Sequence, residues 1–255
     1  FGDKLMKNFN QYFITTLISS MLVACSAPIP TNPQVSPIKT PSVLITKDKI
    51  GDHHTHEHDE SVSHVGLQAH FETWLQMHHA TKQEVVRYQA YLQSRLGNYL
   101  PPMSQLLTTA RSWQACGHEP YQLPPEHLWG QIVPTLHLYQ DLKSRGILPT
   151  NTQIRSVYRN PELNQCAGGA AMSKHLTNSA IDIWVPDLEI KSQALYELQN
   201  RLCQYWLEHG ENQNFGLGLY ATGAIHLDTQ GFRKWGTQFS ETNSICRHVL
   251  PKNKL

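Results

Sequence analysis

The sequence predicts an α+β fold, with N-terminal helices packed with a small, mainly antiparallel sheet. Three observations predict it. Apolar residues recur at helical spacing before residue 150, short runs rich in β-branched and aromatic residues follow it, and a single helical stripe interrupts those runs. Helices first, then strands with one helix between them, is the order of an α+β domain rather than a βαβ repeat.

Each element has its own signal. Phe71, Trp74, Leu75 and His78, then Val85, Tyr88, Leu92 and Leu96, form core-facing stripes that stop at Gly97. Pro101 and Pro102 turn the chain into a further helical segment through Trp113. Leu128, Ile132, Leu136, Tyr139 and Leu142 mark a longer helix, bent at Pro134 and ended by Gly146. His118, His127 and His137 fall in this region and read as surface or hydrogen-bonded helical histidines. Residues 154–158, 180–185, 217–220 and 224–228 read as strands, bounded by Gly, Asn and Pro. Leu195, Leu198, Leu202, Tyr205 and Trp206 give the intervening helix, closed by Gly210.

The N-terminal quarter has a different character. A short basic start at Met6 and Lys7, an apolar run over 12–23, and Leu22-Val23-Ala24-Cys25 have the order of an export signal closed by a lipobox. Cys25 is then the lipidated first residue of the mature chain, anchored in a membrane, and Ser26 beside it favours the outer membrane facing the periplasm. An ordinary cleaved signal containing a cysteine is the alternative. Segment 1–25 is thus signal and lipobox, and 26–63 is a linker, Pro-rich at first and His-rich over 52–60. Four imidazoles and four carboxylates in that His-rich tract suit either a solvated linker or loose capture of a divalent metal. Neither makes an active site, because a flexible tract cannot fix a coordination geometry. The folded domain spans 64–255, its helical part 64–150 and its α+β part 151–240.

Charge and cysteine content narrow the class. With 21 Lys and Arg against 20 Asp and Glu, the net charge of +1 excludes the basic surface of a nucleic-acid binder. Setting Cys25 aside leaves Cys116, Cys166, Cys203 and Cys246, an even set that predicts two disulfides in an exported chain. Three connectivities are open.

The chemistry lies in the second half. His175 sits in a polar loop and Asp182 in an apolar strand beside Ile181 and Ile183, where a carboxylate is costly unless paired or metal-bound. His226 and Asp228 lie on one face of another strand by alternation. His175, Asp182 and His226 converging on one sheet make a three-ligand zinc site for one ion, with a fourth position free.

These residues resemble the zinc D-alanyl-D-alanine carboxypeptidases and their peptidoglycan-endopeptidase relatives. Ser173, His175, Ala180 and Asp182 match the motif S-x-H-x-x-G-x-A-x-D, and His226 supplies the later ligand. Upstream, Ser156, Tyr158, Arg159 and Pro161 look like the S-G-Y-R-x-P segment; downstream, His226, Asp228, Thr229, Arg233 and Trp235 look like an H-x-D-T...R-x-W ending. The resemblance spans residues 113–236. Asn178 replaces the motif glycine, and asparagine is the residue that best tolerates the left-handed backbone such a position needs. Gly223 and Ala224 stand where many members carry a general base.

The resemblance implies a zinc metallopeptidase cutting D-Ala-containing stem peptides of peptidoglycan, as a carboxypeptidase or as a crosslink-cleaving endopeptidase. A zinc- or wall-binding lipoprotein without activity is the reading from another class. Arg159 is implied as the partner of the substrate's terminal carboxylate or oxyanion. Asp228 is open between two roles, the general base and the partner that orients a ligand histidine. The sequence does not specify an oligomeric state.

Overall fold

A computed structural model describes residues 64–249. The lipobox at Cys25, the linker and the His-rich tract lie outside the described residues. The fold is α+β, as predicted, with six α-helices and a five-stranded sheet among the described residues.

The stripes before Gly97 lie on two helices, α1 (His64–Met77) and α2 (His79–Leu96), which meet at His78. The His78 imidazole bonds to the Trp74 carbonyl at 2.8 Å, filling the local hydrogen-bonding position at the break. Phe71 and Trp74 of α1 and Val85, Tyr88, Leu92 and Leu96 of α2 enter the core as their spacing requires. The helix expected after the proline pair is shorter than predicted. α3 (Met103–Leu106) stops after one turn, and the chain then runs beside the sheet, with Thr108 bridged to Tyr121. The carbonyls of Thr108 and Thr109 are taken by Val157 N and Ser156 Oγ, so this stretch serves the sheet and not a helix. In the next stripe a 3-10 segment (Glu126–Ile132) precedes α4 (Val133–Ser144), whose first turn holds Pro134, where a missing N–H costs nothing.

β1 (Gln153–Ser156), β2 (Ala180–Trp184), β3 (Gly216–Leu219), β4 (Ile225–Asp228) and β5 (Arg233–Trp235) stand in the order β1-β2-β4-β3-β5. All pairings are antiparallel except β3 with β5. α5 (Pro161–Cys166) follows β1, capped by the Asn160 side chain on Leu163 N, and α6 (Gln193–His209) links β2 to β3, capped by Ser192. Ile181, Ile183, Leu217, Leu219, Ile225 and Leu227 are buried in the same core as α6's Leu198, Leu202 and Trp206. The opposite face carries the polar residues. Cys116 pairs with Cys166 and Cys203 with Cys246, which selects one of the three connectivities.

Candidate metal centre

Strand register assembles the site. Ser156 pairs with Asp182, Asp182 with His226, His226 with Gly218, and Gly218 with Trp235, so one row of residues crosses all five strands on one face. An irregularity in β1 between Ile154 and Ser156 brings Ser156, rather than Arg155, opposite Asp182. The skipped Arg155 lies over the Trp184 ring instead, 4.0 Å from its centroid.

His175 joins this row from its loop. Asn178 takes the left-handed conformation expected of it, φ 52°, and its backbone N–H closes the turn on the His175 carbonyl at 3.2 Å. The Asn178 side chain does what the motif's glycine cannot: its amide donates to Leu128 O at 3.1 Å and Tyr88 Oη at 3.3 Å, tying the loop to the helical part. Arg159 N also donates to the His175 carbonyl, at 3.2 Å.

Three donor atoms meet where these elements converge. His175 Nε2 is 3.1 Å from Asp182 Oδ1, His226 Nδ1 is 3.0 Å from the same oxygen, and the two nitrogens are 3.2 Å apart. The outer ring nitrogens are committed elsewhere. His175 Nδ1 donates to Val157 O at 2.5 Å, and His226 Nε2 donates to Asp228 Oδ2 at 2.9 Å. Those bonds set tautomers whose free lone pairs face each other and a carboxylate oxygen, an arrangement that repels unless a proton or a cation lies between. Tetrahedral zinc bonds of about 2.0–2.1 Å place ligand atoms about 3.3 Å apart, close to the spacing seen. The donor set therefore fits one zinc ion. It is the one such group of His, Cys, Asp and Glu among the described residues.

The surroundings favour the metal-binding charge state of His175 and Asp182 and oppose it at His226. Burial, with the Arg159 guanidinium, pushes the His175 pKa down to about 4. For Asp182 burial acts in the opposite sense, but the charges of His175 and Arg159 and its hydrogen bonds hold its carboxyl well below the ordinary range. His226 is also penalised by burial, and its hydrogen bonds to Asp182 and Asp228 outweigh that and raise its pKa. Arg159 bonds to Asp182 Oδ2 and to Ser156 Oγ, leaving Oδ1 for the histidines.

Asp228 lies behind His226 and is fully buried. Besides His226 Nε2 it accepts from Arg233 at 2.7 Å and Gln230 N at 2.8 Å. Gly216, opposite it in β3, makes the room: a Cβ there would stand 2.6–2.8 Å from the carboxylate. Gly218 makes room for the Trp235 indole in the same way, at 2.6–2.8 Å, and that ring lies 5.1 Å from the His226 ring.

His175, Asp182 and His226, the ligands expected from the sequence, lie together with Arg159 and Asp228 in one hydrogen-bonded group. The sequence assigns no role to Ser156, Arg233, the Val157 carbonyl or the two glycines. The alternation Gly216, Gly218, Tyr220 was the available signal, since period 2 puts all three on the face of His226. His118 is partly exposed, and His127 and His137 are exposed, away from this group.

The family model described as Peptidase M15 matches residues 116–228, from the first cysteine of one disulfide to Asp228. No curated protein and no solved structure matches the chain.

Proposed function

From the match of residues 116–228 to the family model described as Peptidase M15, we propose that this protein is a zinc D,D-peptidase that hydrolyses D-Ala-containing stem peptides of peptidoglycan. One observation carries the proposal: three lone pairs, on His175 Nε2, Asp182 Oδ1 and His226 Nδ1, converge while the remaining N–H groups point outward. Bound there, zinc supplies a water of lowered pKa, near 7, and polarises the scissile carbonyl.

The chain's own residues divide the remaining work. Arg159 turns Asp182 Oδ1 toward the histidines and keeps the carboxylate ionised. Its side chain is 12% exposed, and the family resemblance implies it as the partner of a substrate carboxylate in addition to Asp182. Of the two roles open to Asp228 we assign the orienting one. Its two oxygens are occupied by His226, Arg233 and the Gln230 amide, and it lies on the far side of the imidazole from the ligand atoms. Carboxypeptidase action is the first expectation, with endopeptidase action as the alternative product pattern.

Export and lipidation at Cys25 enter the proposal from the sequence, with a periplasm-facing outer-membrane location. Two disulfides suit an oxidising compartment of that kind.

Digestion of purified peptidoglycan tests the reading, with released D-Ala scored against loss of crosslinked dimers. The zinc-loaded protein is expected to release D-Ala, His175→Ala is expected to release none, and a chain lacking residues 51–60 is expected to keep one zinc. If the zinc-loaded protein yields neither product, the peptidase reading fails and a non-catalytic zinc-binding role replaces it.

A further inference from the structure

Gly223 and Ala224 leave the turn before His226 without an acid, and Asp228 is occupied behind the imidazole. Arg159 is committed to Asp182 and Ser156, and Arg233 to Asp228.

Tyr220 is different. It follows β3 directly, two residues beyond Gly218, and so shares the face of His226 and Trp235. Trp235 Nε1 donates to its hydroxyl at 2.8 Å. That bond uses a lone pair of the phenol and fixes its oxygen, while the phenol's own hydrogen finds no acceptor among the described residues. The side chain is only partly buried, and Phe239 packs edge-on against its ring at 6.3 Å. Its place beside the centre follows from Trp235, which bonds to its hydroxyl and whose ring lies 5.1 Å from the His226 ring. Burial, reinforced by the Asp182 and Asp228 carboxylates against the Trp235 bond, keeps it protonated, its pKa pushed up to about 12. A fixed, protonated hydroxyl with a spare hydrogen beside a site for carbonyl attack is a donor awaiting an acceptor.

We propose that Tyr220 is a catalytic residue: its hydroxyl donates a hydrogen bond to the scissile carbonyl oxygen as that atom takes on negative charge. Trp235 is the positioning residue that holds it. No bond to Tyr220 forms or breaks, and its proton stays on the phenol throughout; the water's oxygen adds to the carbonyl carbon, the peptide C–N bond breaks, and the water's two hydrogens end on the leaving nitrogen, giving a carboxylate and an ammonium group. The gain is made in the transition state and not in substrate binding. The inference rests on the peptidase reading for its substrate, and the test separates the two.

Tyr220→Phe keeps the ring, its packing on Phe239 and the strand. We expect kcat to fall about 10²-fold with KM nearly unchanged, the range for loss of one oxyanion donor. Zinc content and Tm should match wild type. Affinity for a phosphinate dipeptide analogue, whose tetrahedral oxygens imitate the charged intermediate, should fall by a similar factor, while affinity for a substrate-like peptide on the metal-loaded protein should not change. Trp235→Phe should lower kcat by a smaller factor with the same pattern. Wild-type kcat in an active Tyr220→Phe protein, or unchanged phosphinate affinity, overturns the assignment. A wild-type protein that does not hydrolyse peptide overturns the peptidase reading instead, and the phosphinate measurement still decides Tyr220.

Discussion

Two neighbouring rows of the sheet differ in one respect that decides their use. The first is Ser156, Asp182, His226, Gly218 and Trp235, and in it Asp182 Oδ1 and His226 Nδ1 face each other and His175 Nε2. The second lies one step along the same face: Ala180, Asp228, Gly216 and Arg233. There the carboxylate is wholly buried, yet each oxygen accepts a hydrogen bond. Both rows carry acids among apolar strands, and only the first brings donor atoms together that need a proton or a cation between them. A buried charge that is fully paired supports a site, whereas buried lone pairs facing one another form one.

The sharpest way to break that contrast is to remove a ligand from the first row. Asp182→Ala takes away the oxygen shared by both histidines and the partner of Arg159. Bound zinc is expected to fall from one per chain to near zero by elemental analysis, and hydrolysis by about 10³-fold or more, the scale of losing the metal's contribution. A protein that kept its zinc would show that the ion binds elsewhere.

A change in the second row should act through the first and cost less. Asp228→Asn keeps the shape but presents at best one acceptor to His226 and Arg233, so the His226 tautomer is no longer imposed. Zinc affinity, measured by chelator competition, is expected to weaken about 10- to 100-fold. Were Asp228 the general base, affinity would hold and kcat alone would drop.

The parts that sequence reveals follow the same division. Asp182 and His226 were legible because a charged or imidazole side chain inside an apolar run advertises its cost, and His175, in a polar loop, through the motif it shares with Asp182. Four strands were legible from their β-branched and aromatic runs. β5, of three residues with Arg233 and Lys234 in it, has neither the length nor the pattern of a strand. The break at His78 was hidden because the apolar stripe continues across it, and the extended stretch after α3 because Ser156 and Val157 bond to it across the fold. Tyr220 was hidden for a related reason: a tyrosine ending a strand looks like core until its neighbour Trp235 is seen to occupy one side of its hydroxyl.

Acidity supplies a gentler probe, because the two ligand histidines titrate in opposite directions. For His226 the folded pKa is raised, so the stability it gives the metal-free protein is present below about 6.5 and lost as pH rises through the folded value. For His175 the folded pKa is depressed to about 4, so stability is lost as pH falls from about 6.5 toward 4. The pair's combined contribution to metal-free stability should peak near pH 6.5, with slopes of at most about 1.4 kcal/mol per pH unit per group. Zinc affinity should instead rise with pH, up to about tenfold per unit while His226 Nδ1 must release a proton to bind. Urea melts of the metal-free protein and zinc titrations across pH 4–8 check both; an affinity independent of pH would show that His226 carries no proton for the metal to displace.

The smallest effect on the centre is expected far from either row. Cys203 in α6 is joined to Cys246, 43 residues later, and both are buried in the core that backs the sheet. Cross-linking that span limits the unfolded chain, an effect of about 2–4 kcal/mol. Replacing the pair by Ala should therefore lower stability by about that amount and leave zinc affinity within about twofold, since neither sulfur touches a row residue. The Cys116–Cys166 bond makes the informative contrast, because Cys166 ends α5, the helix that begins two residues after Arg159. Its loss should weaken both stability and zinc binding, through the Arg159–Asp182 pair. Equal zinc affinities for the two double variants would mean that the strand register and the Ser156 hydrogen bond hold Arg159 without help from α5.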